Sequence, residues 1–368
     1  MRIVFDASVL EIPFTGIAKT SLLLYKECLS QLPGLTVTGV HRKAVAGEVP
    51  AGVALVRGGG LFSADLWRSY YLPRQVKRQR ATVMHFPWSG GVPDGLSGCV
   101  IVTTIHDVLP LEMPGGFKNP RDEERYRQNK QRDIDRSQVL FTDSEYSKRQ
   151  LQRHFTLRSE PIVNYFGPTL EGDGKGVPAG DTAAPPYLLY LGGYDRRKGI
   201  LELLEVYLEL RRQGKLRCPL LLVGKSHYFS EELRRLILGG KESGHVRELG
   251  YVPDRELITL LQGALALVYP SRYEGFGLPP LEAMHVGCPV ITTSRTSIPE
   301  VCGDAALYID PGAGVEFGEA LVAVENDAAL RAGLREAGFR QARKFTWEKA
   351  ATTFLGELRR FGIGKEER

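Results

Sequence analysis

Nowhere in the 368 residues does an apolar run approach the roughly 18–20 positions that span a membrane. The opening MRIVFDASVL has no apolar leader before a small-residue cleavage site, so it reads as a first strand rather than an export signal. Cysteine is scarce. Cys28, Cys99, Cys218, Cys288 and Cys302 are scattered, odd in number and without metal-ligand spacing, which speaks against a disulfide framework and for reduced thiols in the cytoplasm. Neither GxGxxG nor GxxxxGK[ST] occurs, which counts against NAD and ATP. No DxD pair ends a strand and no His/Cys cluster offers a metal site. Net charge is only +5 and no nucleic-acid motif stands out.

What is present is an ordinary globular composition, 43% hydrophobic and 25% charged, in a chain long enough for two domains. Short apolar runs alternate with helical patterns, the signature of parallel α/β sheets. In the first half, strands are expected at 2–7, 36–41, 53–58, 82–87, 99–107 and 139–144, with helices at 17–31, 67–80, 120–135 and 145–154. A Gly/Pro-rich stretch, 168–186, reads as a linker. A second strand series follows at 187–193, 219–224, 245–252, 264–271, 289–294 and 306–310, apolar enough to be buried on both faces. The expected division is therefore a first domain over 1–167, the linker, a second domain over 187–344 and an amphipathic terminal segment over 345–368. Two Rossmann-like domains put ligand at the carboxyl ends of strands, in the cleft between them.

Two loops carry the chemistry. SRYEGFGLPPLEAMHVGCPVITT (271–293) sets Glu274 and Glu282 on either side of bare glycine amides, Gly275 and Gly277. Pro279–Pro280 opens a helix there, which puts Glu282 in its first turn, near the positive end of the dipole. YLGGYDRRKGI (190–200) follows a strand with a Gly192–Gly193 turn, then Arg197 and Lys198. Alone it fits a solvated basic turn as well as a phosphate cradle. Both loops follow strands of one parallel sheet, so they open on one edge. Cations suit two phosphates, and carboxylates suit ribose and sugar hydroxyls; a nucleoside diphosphate sugar has both. His106 and Asp107 end the strand 99–107, Gly16 opens the first helix, and Ser144 caps the helix at 145–154. WRSYYLPRQVKRQR (67–80) is either a solvated helix face or a patch for an anionic membrane or a phosphorylated acceptor, the membrane met through Arg68, Arg74, Lys77, Arg78 and Arg80.

The run YPSRYEGFGLPPLEAMHVGCPVITTSRTSIPEVCGDAALYIDP resembles the donor-site signature of retaining glycosyltransferases of family 4, with Glu274 and Glu282 as its Glu-x7-Glu element. YLGGYDRRKGI, LLLVGK, GYVPDREL and FTWEKAA also match that family, as do HFPWSGGVP, TTIHDVLPLEMP and FTDSEYSKRQL in the first half. GIAKT departs from it, where members often carry Arg or an aromatic. The resemblance implies the GT-B fold: two Rossmann-like domains facing each other across a deep cleft, with the C-terminal helix crossing back to the first. It implies a retaining, metal-independent hexosyltransferase that uses GDP-mannose, UDP-glucose or dTDP-rhamnose as substrate, with no cofactor. The acceptor would be a saccharide or lipid-linked glycan in surface polysaccharide synthesis, reached from the cytoplasm at the membrane's inner face. By resemblance Glu282 holds the ribose and Glu274 a sugar hydroxyl. Phe276, Gly277 and Leu278 present amides, and Gly193 and Val252 line the donor site. Arg197 and Lys198 neutralise the leaving diphosphate. His106 hydrogen-bonds the donor sugar, and Gly16 lets donor and acceptor approach. An epimerase or phosphorylase on the same fold, or a sugar-binding protein without turnover, are the alternatives; a phosphorylase would need a pyridoxal lysine, which nothing flags.

Overall fold

The computed structural model describes residues 1–12, 16–45, 47–171, 185–225 and 228–362. Most of the expected linker, 172–184, and the end of the terminal segment, 363–368, lie outside the described residues. The chain divides into two compact units, one made of 1–169 with 346–368, the other of 170–345.

Unit 1 is built on a seven-stranded parallel sheet: β1 (Arg2–Asp6), β2 (Thr36–His41), β3 (Val53–Arg57), β4 (Val83–Phe86), β5 (Val100–Thr104), β6 (Val139–Thr142) and β7 (Ile162–Val163). They lie in the order β3-β2-β1-β4-β5-β6-β7. β4 and β6 are buried at every position, as strands covered on both faces must be, whereas the edge strand β3 is half-exposed. β5 stops at Thr104, so His106 and Asp107 stand beyond the strand instead of ending it. The backbone turns away there, and Leu109 N–H is captured by Asp107 Oδ1 at 3.0 Å.

The helix Trp347–Arg360 belongs to this unit. Its Ala350, Ala351, Phe354, Leu355 and Leu358 recur at helical spacing and are buried in one cluster with Phe5, Tyr25 and Phe141. The Phe354 ring lies 5.0 Å from His85 and 5.1 Å from Phe141. His85 is itself strung between Tyr25 Oη at 2.7 Å and Thr104 Oγ1 at 2.9 Å. Burial pulls its pKa down to about 3, so this network is neutral.

The basic stretch is more selective than its sequence implies. Residues 64–78 run helically through a wide turn at Trp67–Tyr71, where Leu72 N–H reaches back to Trp67 O. Trp67, Leu72 and Val76 are buried. Arg68 also turns inward, its Nε 3.5 Å from Asp6 Oδ2 and its guanidinium 5.7 Å from the Trp88 ring. Of the five expected surface cations, Arg74, Lys77, Arg78 and Arg80 are exposed, flanked by exposed Leu61, Leu66 and Tyr70. Among the described residues no helix is long and apolar enough to cross a membrane.

Unit 2 carries six parallel strands, β8 (Leu188–Leu191), β9 (Leu220–Val223), β10 (Val246–Gly250), β11 (Ala266–Tyr269), β12 (Val290–Thr293) and β13 (Leu307–Ile309), ordered β10-β9-β8-β11-β12-β13. Successive strands run outward from β8 on one side and from β11 on the other.

Candidate active site

The order reverses between β8 and β11, and the chain leaving their carboxyl ends parts in opposite directions, opening a crevice where ligands of such sheets bind. Both sequence loops leave from these two strands. After β8, Asp195 caps a short turn, Arg196–Lys198, by accepting from Arg197 N–H. Gly199 closes that turn at φ 66°, and a Cβ there would come within 2.2 Å of Pro270 O. Only a bare backbone lets the turn lie against the end of β11. Arg272 N–H then donates to Arg197 O at 2.6 Å, which stitches the loops together.

The carboxylate of Glu274 sits between them, buried. Its Oε1 accepts from Lys198 Nζ at 2.6 Å, Tyr269 Oη at 2.7 Å and Ser271 Oγ at 2.5 Å. Its Oε2 lies 3.3 Å from Arg197 Nη1, which also donates to Tyr273 O at 3.1 Å. Burial raises the Glu274 pKa, but Lys198 and Arg197 outweigh it and hold the carboxyl below its ordinary range. Burial pulls Lys198 below the ordinary lysine range, against the attraction of Glu274. Glu274 gathers both cations, and Asp195 Oδ2 lies 3.4 Å from Arg197 Nε, so the two cations are balanced by two carboxylates at the strand end. Oε1 already takes three donors, so a sugar hydroxyl finds capacity only at Oε2.

Beyond Glu274 the chain passes Phe276, buried beside Phe345, to Gly277 at φ 118°, the N-cap of the helix Leu278–His285. The helix starts at Leu278, with the prolines second and third, and its first turn holds no acidic residue. Glu282 is therefore its fifth residue, one past the expected first turn, and it is buried. Gly193 follows β8, where a Cβ would meet nothing within 4 Å. Val252 follows β10 on the same edge but two strands from β8, and is buried.

Comparison with known proteins bears on this arrangement. The fold is similar to sucrose-phosphate synthase from Thermosynechococcus elongatus, with TM-score 0.76 and 18% identity, over 99% of this chain and 100% of that one. It is also similar to WaaG, a glycosyltransferase involved in lipopolysaccharide biosynthesis, with TM-score 0.71 and 16% identity, over 99% and 100%. In sequence the chain is 29% identical to the O-antigen chain mannosyltransferase B of Escherichia coli, over 96% of this chain and 98% of that protein. The model of glycosyl transferases group 1 matches residues 180–341, the stretch that holds the whole cation–carboxylate cluster. Residues 180–341 thus carry a glycosyl transferases group 1 domain, and the fold is the one seen in solved glycosyltransferases.

The remaining sequence-expected residues lie in unit 1. His106 is half-buried with both ring nitrogens engaged: Nδ1 is 2.6 Å from Asp143 Oδ2 and Nε2 is 2.8 Å from Pro87 O. Burial lowers its pKa, yet Asp143 wins and the value is raised. Both partners accept, so a protonated ring satisfies them together, and a bond to a sugar requires displacing Pro87 O. Gly16 opens the helix Gly16–Gln31 and is exposed; residues 13–15 before it lie outside the described residues. Sequence reasoning passed over Tyr269, Ser271, Thr296 and Ser297, all of which touch the Glu274 loop. A tyrosine ending an apolar strand reads as core, and a Thr–Ser pair reads as polar loop.

Proposed function

We propose that this glycosyltransferase moves a mannosyl group from a nucleoside diphosphate mannose, with retention and without a metal, to a saccharide or lipid-linked glycan. The product would be a surface polysaccharide of the O-antigen kind, made at the cytoplasmic face of the membrane. The observation that carries the reading is Glu274 holding Lys198 at 2.6 Å and Arg197 at 3.3 Å at the switch point of the donor-type sheet. The choice of mannose and of O-antigen rests on the relative's name. In the reaction the C1–O bond to the diphosphate breaks and the acceptor oxygen bonds C1 on the same face. The acceptor proton passes to the departing phosphate oxygen. Lys198 and Arg197 meet the charge that grows there, doing with fixed cations what a divalent ion does elsewhere. Glu282 takes the ribose hydroxyls, and the amides around Phe276, Gly277 and Leu278 take the sugar and diphosphate.

A thermal-shift panel of GDP, UDP and dTDP, with and without EDTA, tests this. Ligand at ~100 times its dissociation constant adds ~2.7 kcal/mol to the folded state, so one nucleotide should stand out and EDTA should not erase it. A flat panel overturns the donor reading. NMR of the product anomer decides retention.

A lipid-linked acceptor would be met through the exposed Arg74, Lys77, Arg78 and Arg80 beside Leu61, Leu66 and Tyr70. Each cation contributes about 1 kcal/mol at an anionic surface, and screening limits its reach to ~8 Å at physiological salt. Co-sedimentation with phosphatidylserine vesicles should fall with salt and with Glu at all four positions. Absence of binding in low salt would leave a soluble acceptor.

A further inference from the structure

Two consecutive residues outside the acidic motif hold the loop that carries Glu274. Thr296 lies at φ 57°, a left-handed backbone that a β-branched side chain adopts only when its surroundings force it. Its Oγ1 accepts the Glu274 N–H at 3.1 Å. The next residue, Ser297, is fully buried and aims its Oγ at Glu274 O, 2.9 Å away, and Phe276 O, 2.7 Å away. At the end of β12, Thr293 Oγ1 donates to Ser271 O at 2.6 Å. Both main-chain polar groups of Glu274, and the carbonyl two residues on, are thus tied to one dipeptide.

We infer that Thr296 and Ser297 are positioning residues for glycosyl transfer: they set where the Glu274 carboxylate stands and, through it, where Lys198 and Arg197 wait. This rests on the proposed reading of the site. The backbone distortion at Thr296 is kept because the side chain held there supplies the acceptor for Glu274 N–H. They act through the carboxylate and its two cations.

Relief of the distortion and loss of the latch pull in opposite directions, and that separates positioning from mere packing. Thr296→Gly frees the backbone and removes the hydroxyl. Its Tm should equal or exceed that of the parent, while kcat for release of GDP from GDP-mannose falls roughly tenfold or more and donor KM moves little, as small misplacements at a reacting centre do. Thr296→Ser keeps the hydroxyl and should restore turnover to within about twofold. Thr296→Val keeps the branch without the acceptor and should lose turnover as the glycine variant does. Parent-like kcat in Thr296→Gly and Thr296→Val overturns the inference, and so does a Tm that falls in step with kcat across the series. A parent protein that releases no nucleotide from GDP-mannose, UDP-glucose or dTDP-rhamnose defeats the functional reading instead.

Discussion

A single carboxylate governs the site at the residue scale. Lys198→Ala leaves Glu274 buried without its nearest cation, a loss of about 3–5 kcal/mol when one partner of a buried pair is removed. The double variant Lys198→Met with Glu274→Gln should regain much of that Tm and none of the turnover, which urea unfolding and a nucleotide-release assay check together. Because Glu274 is held below its ordinary value of 4.5, its stabilising contribution is present above pH 4.5 and is lost as pH falls through its folded-state value. Arg197, Lys198 and Glu274 were legible in the sequence because glycine turns and paired acids are local signals. Glu282 was misplaced by one residue because its helix begins before the prolines, at Leu278. Thr296 was invisible, since a strained φ leaves no trace in residue type.

Elements were read more easily than their neighbours in space. Every expected strand formed, Thr36–His41 at full length and the others shortened at one end or both, because continuous apolar runs bounded by Gly and Pro identify buried strands. β7 was missed: its two residues, Ile162 and Val163, are too few to show a period. The amphipathic face of Trp347–Arg360 was plain in the sequence, but the periodicity alone did not name the surface it covers. That surface is the unit 1 core, so Phe354→Ala, a fully buried ring between His85 and Phe141, should cost about 3–5 kcal/mol. Denaturant unfolding measures it, and a change under 1 kcal/mol would mean the helix is only laid on, roughly the cost of a surface substitution.

For the whole molecule, unit 1 adds a pH response of opposite sign to that of Glu274. His106 is raised by Asp143, and burial raises Asp143 as well, so both make the folded state bind more protons than the unfolded chain. The stability His106 confers is full below pH 6.5, the ordinary histidine value, and is lost as pH rises through its folded-state value, whereas that of Asp143 is full only below pH 3.8 and is lost as pH rises through its own folded-state value. His106→Gln should flatten the fall of Tm between neutral and alkaline pH; an unchanged slope would dissociate the pair from it. The return of Trp347–Arg360 to unit 1 has a further consequence, for biosynthesis. Unit 2 is one unbroken stretch, 170–345, whereas unit 1 needs residues from both sides of it. On a ribosome adding about 5–20 residues per second, the first sheet emerges and then waits on the order of ten seconds or more for the helix that seals it. What is made first is finished last, and in the interval Phe5, Tyr25 and Phe141 are a target for chaperones.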